Sequence, residues 1–102
     1  PRPLTLIVGL LDNRPVAPFL AAFADMRPQV IGVPIPSAPV YSTGKPTEPA
    51  RIAGAARDLG LSGAVAADWR QALAMVEPGH RVLVTGSLYL VGAVLETSRP
   101  MD

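Results

Sequence analysis

Apolar residues along the chain follow two spacings, which alternate from the N-terminus onward. Short continuous apolar runs are typical of parallel strands that are buried on both faces. Apolar residues that recur every third or fourth position are typical of amphipathic helices. The predicted strands cover residues 4–10, 29–35, 63–67 and 81–86, and the predicted helices cover residues 15–26, 48–60, 69–76 and 87–98.

The predicted helices carry suitable end residues and an inward-facing apolar stripe. Asp12 or Asn13 is the predicted N-cap of the first helix, because these side-chain oxygens accept hydrogen bonds from free backbone N–H groups. Thr47 and Asp68 are the predicted N-caps of the next two, and Gly60 is predicted to end the second helix. The residues expected to face the core are Val16, Phe19, Leu20, Phe23, Ile52, Ala53, Ala56, Leu59, Trp69, Ala72, Leu73 and Val76.

This strict alternation of strand and helix predicts a single α/β domain over residues 1–102. Crossovers between parallel strands are right-handed in nearly all proteins, so the helices cover both faces of the sheet. We therefore expect a Rossmann-like, three-layer α/β/α sandwich with a mostly parallel sheet and the core strand order 3-2-1-4. Ligands of such sheets bind where the order reverses, at the carboxyl ends of the flanking strands. Those ends are residues 10–14 and 84–88.

Composition adds modest constraints to this picture. Apolar residues make up 49% of the chain and charged residues only 17%, below the roughly 25% of typical soluble domains, which suggests a surface covered by another domain. A net charge of +1 without a Lys/Arg cluster argues against nucleic acid as a partner. The chain has no cysteine, no membrane-length apolar run and no secretory signal pattern. We expect a cytoplasmic protein, without a membrane partner, that is part of a longer polypeptide.

Thr85, Gly86 and Ser87 interrupt an otherwise apolar segment where the fourth strand turns into the fourth helix. Gly86 allows a tight turn, and Ser87 can cap the N–H groups of the helix. The same groups can hold an anion or a carboxylate that enters the crevice. Both roles are compatible with each other.

Asp12 lies across the predicted crevice and has two candidate roles. It can cap the first helix, or it can bind ribose hydroxyls or the water shell of a metal ion. Arg14 either reaches a phosphate or is a solvated surface residue. His80 is expected at the surface, at the amino end of the fourth strand. Because no triad, carboxylate pair or metal cluster can be assembled, the domain alone is not expected to be catalytic.

The proline-rich stretch and two aromatic side chains give no further indication of function. Residues 36–49 contain several prolines, which exclude a central strand and leave an extended excursion or an edge hairpin. Lys45 within this loop has no assigned role. Trp69 and Tyr89 lie at inward helical positions and are more readily explained as core residues than as stacking platforms.

Two stretches resemble a known family: LIVGLLDNRPVAPFLAAF near the start and VLVTGSLYLVGAVLE near the end. They are similar to the C-terminal domain of folylpolyglutamate synthase and bifunctional dihydrofolate synthase, in the Mur ligase family. Gly9, Asp12 and residues 85–91 match the family's two motifs, whereas Asn13 and Arg14 replace a Lys and an Asp. The stretch from AARDLGL to WRQALAM is similar to the family's middle region.

The resemblance implies an ATP-dependent ligase that phosphorylates a folate or pteroate carboxylate and joins the acyl phosphate to glutamate. It implies that ATP and Mg²⁺ are bound mainly by an N-terminal P-loop domain, over which this domain closes. The implied substrate-binding residues are Thr85, Gly86, Ser87 and Tyr89, and the implied nucleotide-binding residues are Asp12, Asn13 and Arg14. The alternatives are a free-standing, flavodoxin-like nucleotide-binding or regulatory module, and a protein-interaction domain.

Overall fold

The computed structural model describes residues 3–35, 45–86, 90–91 and 94–95. Strands and helices alternate along these residues as the apolar spacing predicts, with one additional 3₁₀ helix at Ala24–Met26. The strands are β1 Leu4–Gly9, β2 Gln29–Gly32, β3 Ser62–Val65 and β4 Arg81–Gly86, and the α-helices are α1 Val16–Ala21, α2 Pro49–Asp58 and α3 Trp69–Met75.

The last predicted helix, residues 87–98, lies largely outside the described residues. Residues 90–91 and 94–95 are helical. Leu90 is fully buried.

The four strands form one sheet in the order β3-β2-β1-β4, with every neighbouring pair parallel. The predicted α/β fold and the strand order 3-2-1-4 are confirmed. β1 has β2 on one side and β4 on the other, and it pairs with β4 along its whole length, from Leu4 opposite Arg81 to Gly9 opposite Gly86. The reversal of strand order therefore lies between β1 and β4.

Both faces of the sheet are covered, because alternate residues of the central strands point to opposite sides. On one face, Leu6 and Val8 pack with Leu20 of α1 and with Ile52 and Ala56 of α2. The second face is a separate apolar cluster, formed by Ile7, Ile31, Val33, Ala66, Trp69, Ala72 and Leu90. This arrangement gives the three predicted layers, and it explains why the central strands read as continuous apolar runs.

The first helix differs from its prediction at both ends. Its N-cap is Pro15, without a side-chain cap, whereas Asp12 and Asn13 lie in the preceding turn. The α-helix ends at Ala21, and the Phe23 N–H donates to the Leu20 oxygen at 2.9 Å, a tighter bond of the 3₁₀ type. The predicted cap at residue 12 or 13 and the single helix to residue 26 are therefore wrong.

Thr47 is not the N-cap of α2. Its backbone N–H donates to the Leu10 oxygen at 2.7 Å, and the residue is buried beside the end of β1. Glu48 takes the N-cap position without a side-chain hydrogen bond. Pro49 follows as the first helical residue, where its missing N–H has no cost.

Other predicted ends and faces are confirmed. The Asp68 carboxylate accepts the Gln71 N–H at 2.7 Å and caps α3, and Gly60 follows α2 with φ of 80°. Ile52, Ala53, Ala56, Trp69 and Ala72 are buried as expected.

Leu59 and Leu73 are exposed, contrary to prediction. Leu59 lies past the last helical residue of α2, so the stripe does not continue to it. In α3, the buried Trp69 and Ala72 and the half-buried Met75 face the sheet, which turns Leu73 toward solvent.

Candidate functional site

The candidate site lies at the carboxyl ends of β1 and β4. Gly9 and Gly86 are opposite each other in register, so the two strands end side by side. The residues that follow β1 and the Thr85-Gly86 pair of β4 are therefore at the same edge of the sheet. The sequence predicts this crevice from the strand order alone, and ligands of parallel sheets bind at such positions.

The two backbones touch where the crevice begins. Gly86 has φ of 112°, and a Cβ atom built on it would overlap the carbonyl oxygen of Gly9. Only glycine tolerates both the backbone angle and the contact. Gly86, for which the sequence predicts a tight turn, has a positive φ that suits such a turn, and Thr85 beside it is half-buried. The residues that would complete the turn, 87–89, lie outside the described residues.

Arg14 connects the two sides of the crevice. Its Nη1 donates to the Gly86 carbonyl oxygen at 3.2 Å, and its guanidinium carbon lies 5.4 Å from the centre of the Phe19 ring. Arg14 is exposed but is anchored at both of these points. Neither of the two roles considered from sequence, a phosphate ligand or a solvated arginine, includes this contact.

Asp12 is held by the segment that precedes α2. Its Oδ1 accepts the Lys45 N–H at 3.0 Å, and its own N–H donates to the Lys45 oxygen at 2.7 Å. Leu11 and Pro46 form an antiparallel bridge next to this pair. Residues 45–47 of the proline-rich loop thus pair along the tip of β1, and residues 36–44 lie outside the described residues.

Lys45 is the residue of this site that sequence reasoning misses. It contacts Asp12 across 33 positions of the chain, and no local spacing or motif signals that approach. Lys45 makes its contacts with Asp12 through its backbone, whereas the Arg14 guanidinium itself reaches this edge through its bond to the Gly86 oxygen. A guanidinium at this position favours an anionic ligand group over a metal ion.

Of the other predicted binding residues, some are described by the structure and some are not. Asn13 lies beside Asp12 in the turn after β1 and is exposed. Ser87 and Tyr89 lie outside the described residues. In the described part of the chain, no group of three or more His, Cys, Asp or Glu side chains could hold a metal ion.

A polar cluster that includes His80 lies at the amino ends of the strands, at the other end of the sheet from the candidate site. His80 is at the amino end of β4, as predicted, but it is half-buried rather than a plain surface residue. Its Nδ1 lies 2.9 Å from the Oγ1 of the buried Thr5, which lies 3.3 Å from the Gln29 amide oxygen. These contacts satisfy the Thr5 hydroxyl inside the sheet.

Comparisons of the chain with family models, with curated proteins and with solved structures found no match. Among the described residues, no helix has the length and apolar character needed to cross a membrane. The interpretation of the site therefore rests on its geometry and on the sequence resemblance.

Proposed function

We propose that this chain is the C-terminal domain of a cytoplasmic ATP-dependent folate ligase of the folylpolyglutamate synthase and dihydrofolate synthase type. The complete enzyme forms an amide between glutamate and a folate or pteroate carboxylate through an acyl phosphate. In this proposal the domain closes over ATP and helps to bind glutamate. The domain by itself carries out no chemistry.

The observation that carries the proposal is the adjacency of Gly9 and Gly86 at the switch point. This adjacency brings together the two segments on which the family resemblance rests, although the segments are separated by more than half the length of the chain. A crevice with one side from each segment can receive ligand groups from two sides. The Arg14 guanidinium provides positive charge there, which suits phosphate and carboxylate groups.

In this proposal the two segments at the crevice bind different ligands. Asp12 and Asn13 are assigned to the nucleotide, and Thr85, Gly86, Ser87 and Tyr89 are assigned to the carboxylates of glutamate. The absence of a side chain at Gly86 lets β4 lie against the Gly9 carbonyl, and N–H groups at the start of a helix attract anions. ATP with Mg²⁺, bound by the P-loop domain, supplies the phosphoryl group that activates the substrate carboxylate.

Water exclusion is the second contribution assigned to the domain. An acyl phosphate is hydrolysed if water reaches it, and domain closure over a substrate removes water from the reacting groups. The largely apolar body behind the crevice, with both sheet faces filled, provides a rigid closing surface. The charged and polar groups at its rim then contact the ligands only in the closed state.

The direct test is an assay of the intact protein that carries this chain. We expect release of ADP and phosphate only when ATP, glutamate and a folate or dihydropteroate are all present, with a glutamylated product detected by mass spectrometry. ATP turnover that does not depend on glutamate would contradict the proposal. The coding sequence upstream offers a simpler check, because the proposal requires a GxxxxGK[ST] loop there.

Substitution of Ser87 tests the assignment of the two sides. We expect Ser87→Ala in the intact enzyme to raise the KM for glutamate much more than the KM for ATP. Ser62→Ala is the matched control, because Ser62 is an exposed serine at the start of β3, among the amino ends of the strands and away from the site. Equal changes in both KM values, or no change, would restrict Ser87 to helix capping, whose loss costs about 1 kcal/mol of stability.

A free-standing nucleotide-binding or regulatory module is the second candidate, since a switch-point crevice that contains a guanidinium also suits a nucleotide phosphate. The observed order 3-2-1-4 differs from the flavodoxin order, so such a module would be of the Rossmann type. Calorimetric titration of this chain with ATP separates the candidates. Tight binding without any other domain would favour the module.

A further inference from the structure

We propose that Arg14 is a positioning residue, which holds the end of β4 in place for ligand binding instead of contacting the nucleotide. The positioning itself follows from the structure of this chain. Its consequence for glutamate binding rests on the proposed function.

Arg14 is fixed at both its backbone and its guanidinium. The backbone N–H donates to the Leu11 oxygen at 3.1 Å, within the turn that follows β1. The guanidinium lies over the ring of Phe19, which is half-buried and packs against the core on the α1 face. From this fixed position Nη1 reaches the Gly86 oxygen at 3.2 Å. The contact therefore links the turn after β1 and α1 to the end of β4.

The Gly86 carbonyl is an effective point for such a restraint. A peptide unit is planar, so a bond to its oxygen restrains the rotation of the whole unit. Gly86 has φ of 112°, and because it lacks a Cβ atom its backbone has more conformational freedom than that of any other residue type. A hydrogen bond from outside the strand limits that freedom at the peptide that leads into residues 87–89.

The contact requires arginine in particular. A guanidinium is planar, so it can lie over an aromatic ring with one face and donate hydrogen bonds from its edge at the same time. A lysine ammonium also donates hydrogen bonds, but it has no plane that can lie over a ring while its edge donates. A nucleotide phosphate that drew the guanidinium away from the Phe19 ring would break its bond to the Gly86 carbonyl and release the strand end that the bond holds.

The first experiment tests the positioning by NMR on this chain. We expect Arg14→Ala to shift the carbonyl ¹³C resonance of Gly86 and the amide resonances of residues 87–89. Arg70→Ala is the matched control, because Arg70 also lies over an aromatic ring, 4.7 Å from the centre of Trp69, but on α3. It should leave Gly86 unchanged. An unchanged Gly86 resonance in Arg14→Ala would overturn the positioning role.

The second experiment tests the consequence in the intact enzyme. We expect Arg14→Ala to raise the KM for glutamate about five- to tenfold, within the range for losing one ordinary hydrogen bond, with little change in the KM for ATP. Arg14→Lys should recover only part of the loss, and Arg70→Ala should change neither constant. A rise in the KM for ATP that equals or exceeds the rise for glutamate would make Arg14 a nucleotide ligand and overturn the inference.

The two experiments also separate the inference from the function on which it rests. If the intact protein has no glutamate-dependent activity, the proposed function fails, and the NMR comparison still decides whether Arg14 positions Gly86. If activity is present and Gly86 does not respond to Arg14→Ala, the inference fails while the proposed function stands.

Discussion

Gly86 is the residue at which backbone geometry and the candidate site meet. Its φ of 112° and its contact with the Gly9 carbonyl leave no place for a side chain. Its own carbonyl accepts the bond from Arg14. One glycine therefore sets the spacing of the two strand ends and offers the acceptor that joins the turn after β1 to β4.

Gly86→Ala should destabilise the chain by about 3 kcal/mol, because a Cβ atom adds backbone strain and an overlap with Gly9. Gly54→Ala is the matched control within α2, where a Cβ atom would meet nothing within 4 Å. That change should stabilise the protein by about 0.5–1 kcal/mol, because alanine is the better helix former. Urea unfolding followed by far-UV circular dichroism measures both, and equal effects would contradict the geometry at Gly86.

The residues of the site were predictable to different degrees. Gly86 could be assigned to a tight turn because glycine between a strand and a helix is a local signal. The contact of Arg14 with Gly86 joins residues 72 positions apart, and the contact of Asp12 with Lys45 joins residues 33 positions apart. Contacts at such separations depend on the strand order and on loop paths, so no pattern of neighbouring residues reveals them.

At the ends of helices, a residue either caps the helix that follows it or bonds to a distant part of the chain, and the sequence reveals only the first of these. Asp68 was correctly predicted as a cap because it faces the free N–H groups of the turn that follows, and Gln71 reinforces it by accepting the Ala67 N–H at 2.6 Å. The Asp-x-x-Gln spacing is a recognisable signal for this pairing. Thr47 has the same capping chemistry, but its backbone is drawn into pairing with Leu10.

Asp68→Ala should destabilise the protein by about 1 kcal/mol, since it removes the acceptor for the Gln71 N–H. Glu48→Ala is the control at the N-cap of α2, where no side-chain bond exists, and it should change stability by less than about 0.5 kcal/mol. Thermal and urea unfolding report both values. A loss for Glu48→Ala as large as that for Asp68→Ala would show that charge near the helix, rather than the hydrogen bond, determines the effect.

Strands were easier to predict than helix ends for a physical reason. β1 is buried on both faces, so its apolar run stands out in the sequence whatever its neighbours are. β2 was predicted to reach residue 35 but ends at Gly32, and the Val33 N–H makes one further bond to the Val8 oxygen at 2.9 Å, although Val33 and Ile35 are both buried. Burial is encoded by residue type, whereas the end of hydrogen bonding depends on the partner strand.

At the scale of the whole molecule, one sheet lies between two apolar layers, and its strands contribute side chains to both of them. Leu6 faces the layer of α1 and α2, and its neighbour Ile7 faces the layer of α3 and Leu90. Because both layers are built on the same strands, loss of packing on one side removes support from the other. We expect the domain to unfold as one cooperative unit, as most small domains do.

Leu20 and Trp69 allow a test of this cooperativity from opposite faces. Leu20 is fully buried in the α1 layer, and Trp69, the single tryptophan of the chain, reports on the α3 layer. Leu20→Ala should lower stability by about 2–5 kcal/mol through lost burial and a cavity. Trp69 fluorescence and far-UV circular dichroism should then show the same shifted urea midpoint.

Leu95→Ala is the control for this pair of signals, because Leu95 is 63% exposed and its truncation should leave the midpoint nearly unchanged. A Trp69 transition that stayed at its original midpoint in Leu20→Ala, while circular dichroism shifted, would mean that the two layers unfold independently. Such independence would also weaken the proposed role of the domain as a rigid closing surface. The crevice takes its walls from β1 and β4, and β1 side chains fill both layers, so rigidity at the site requires both layers to hold together.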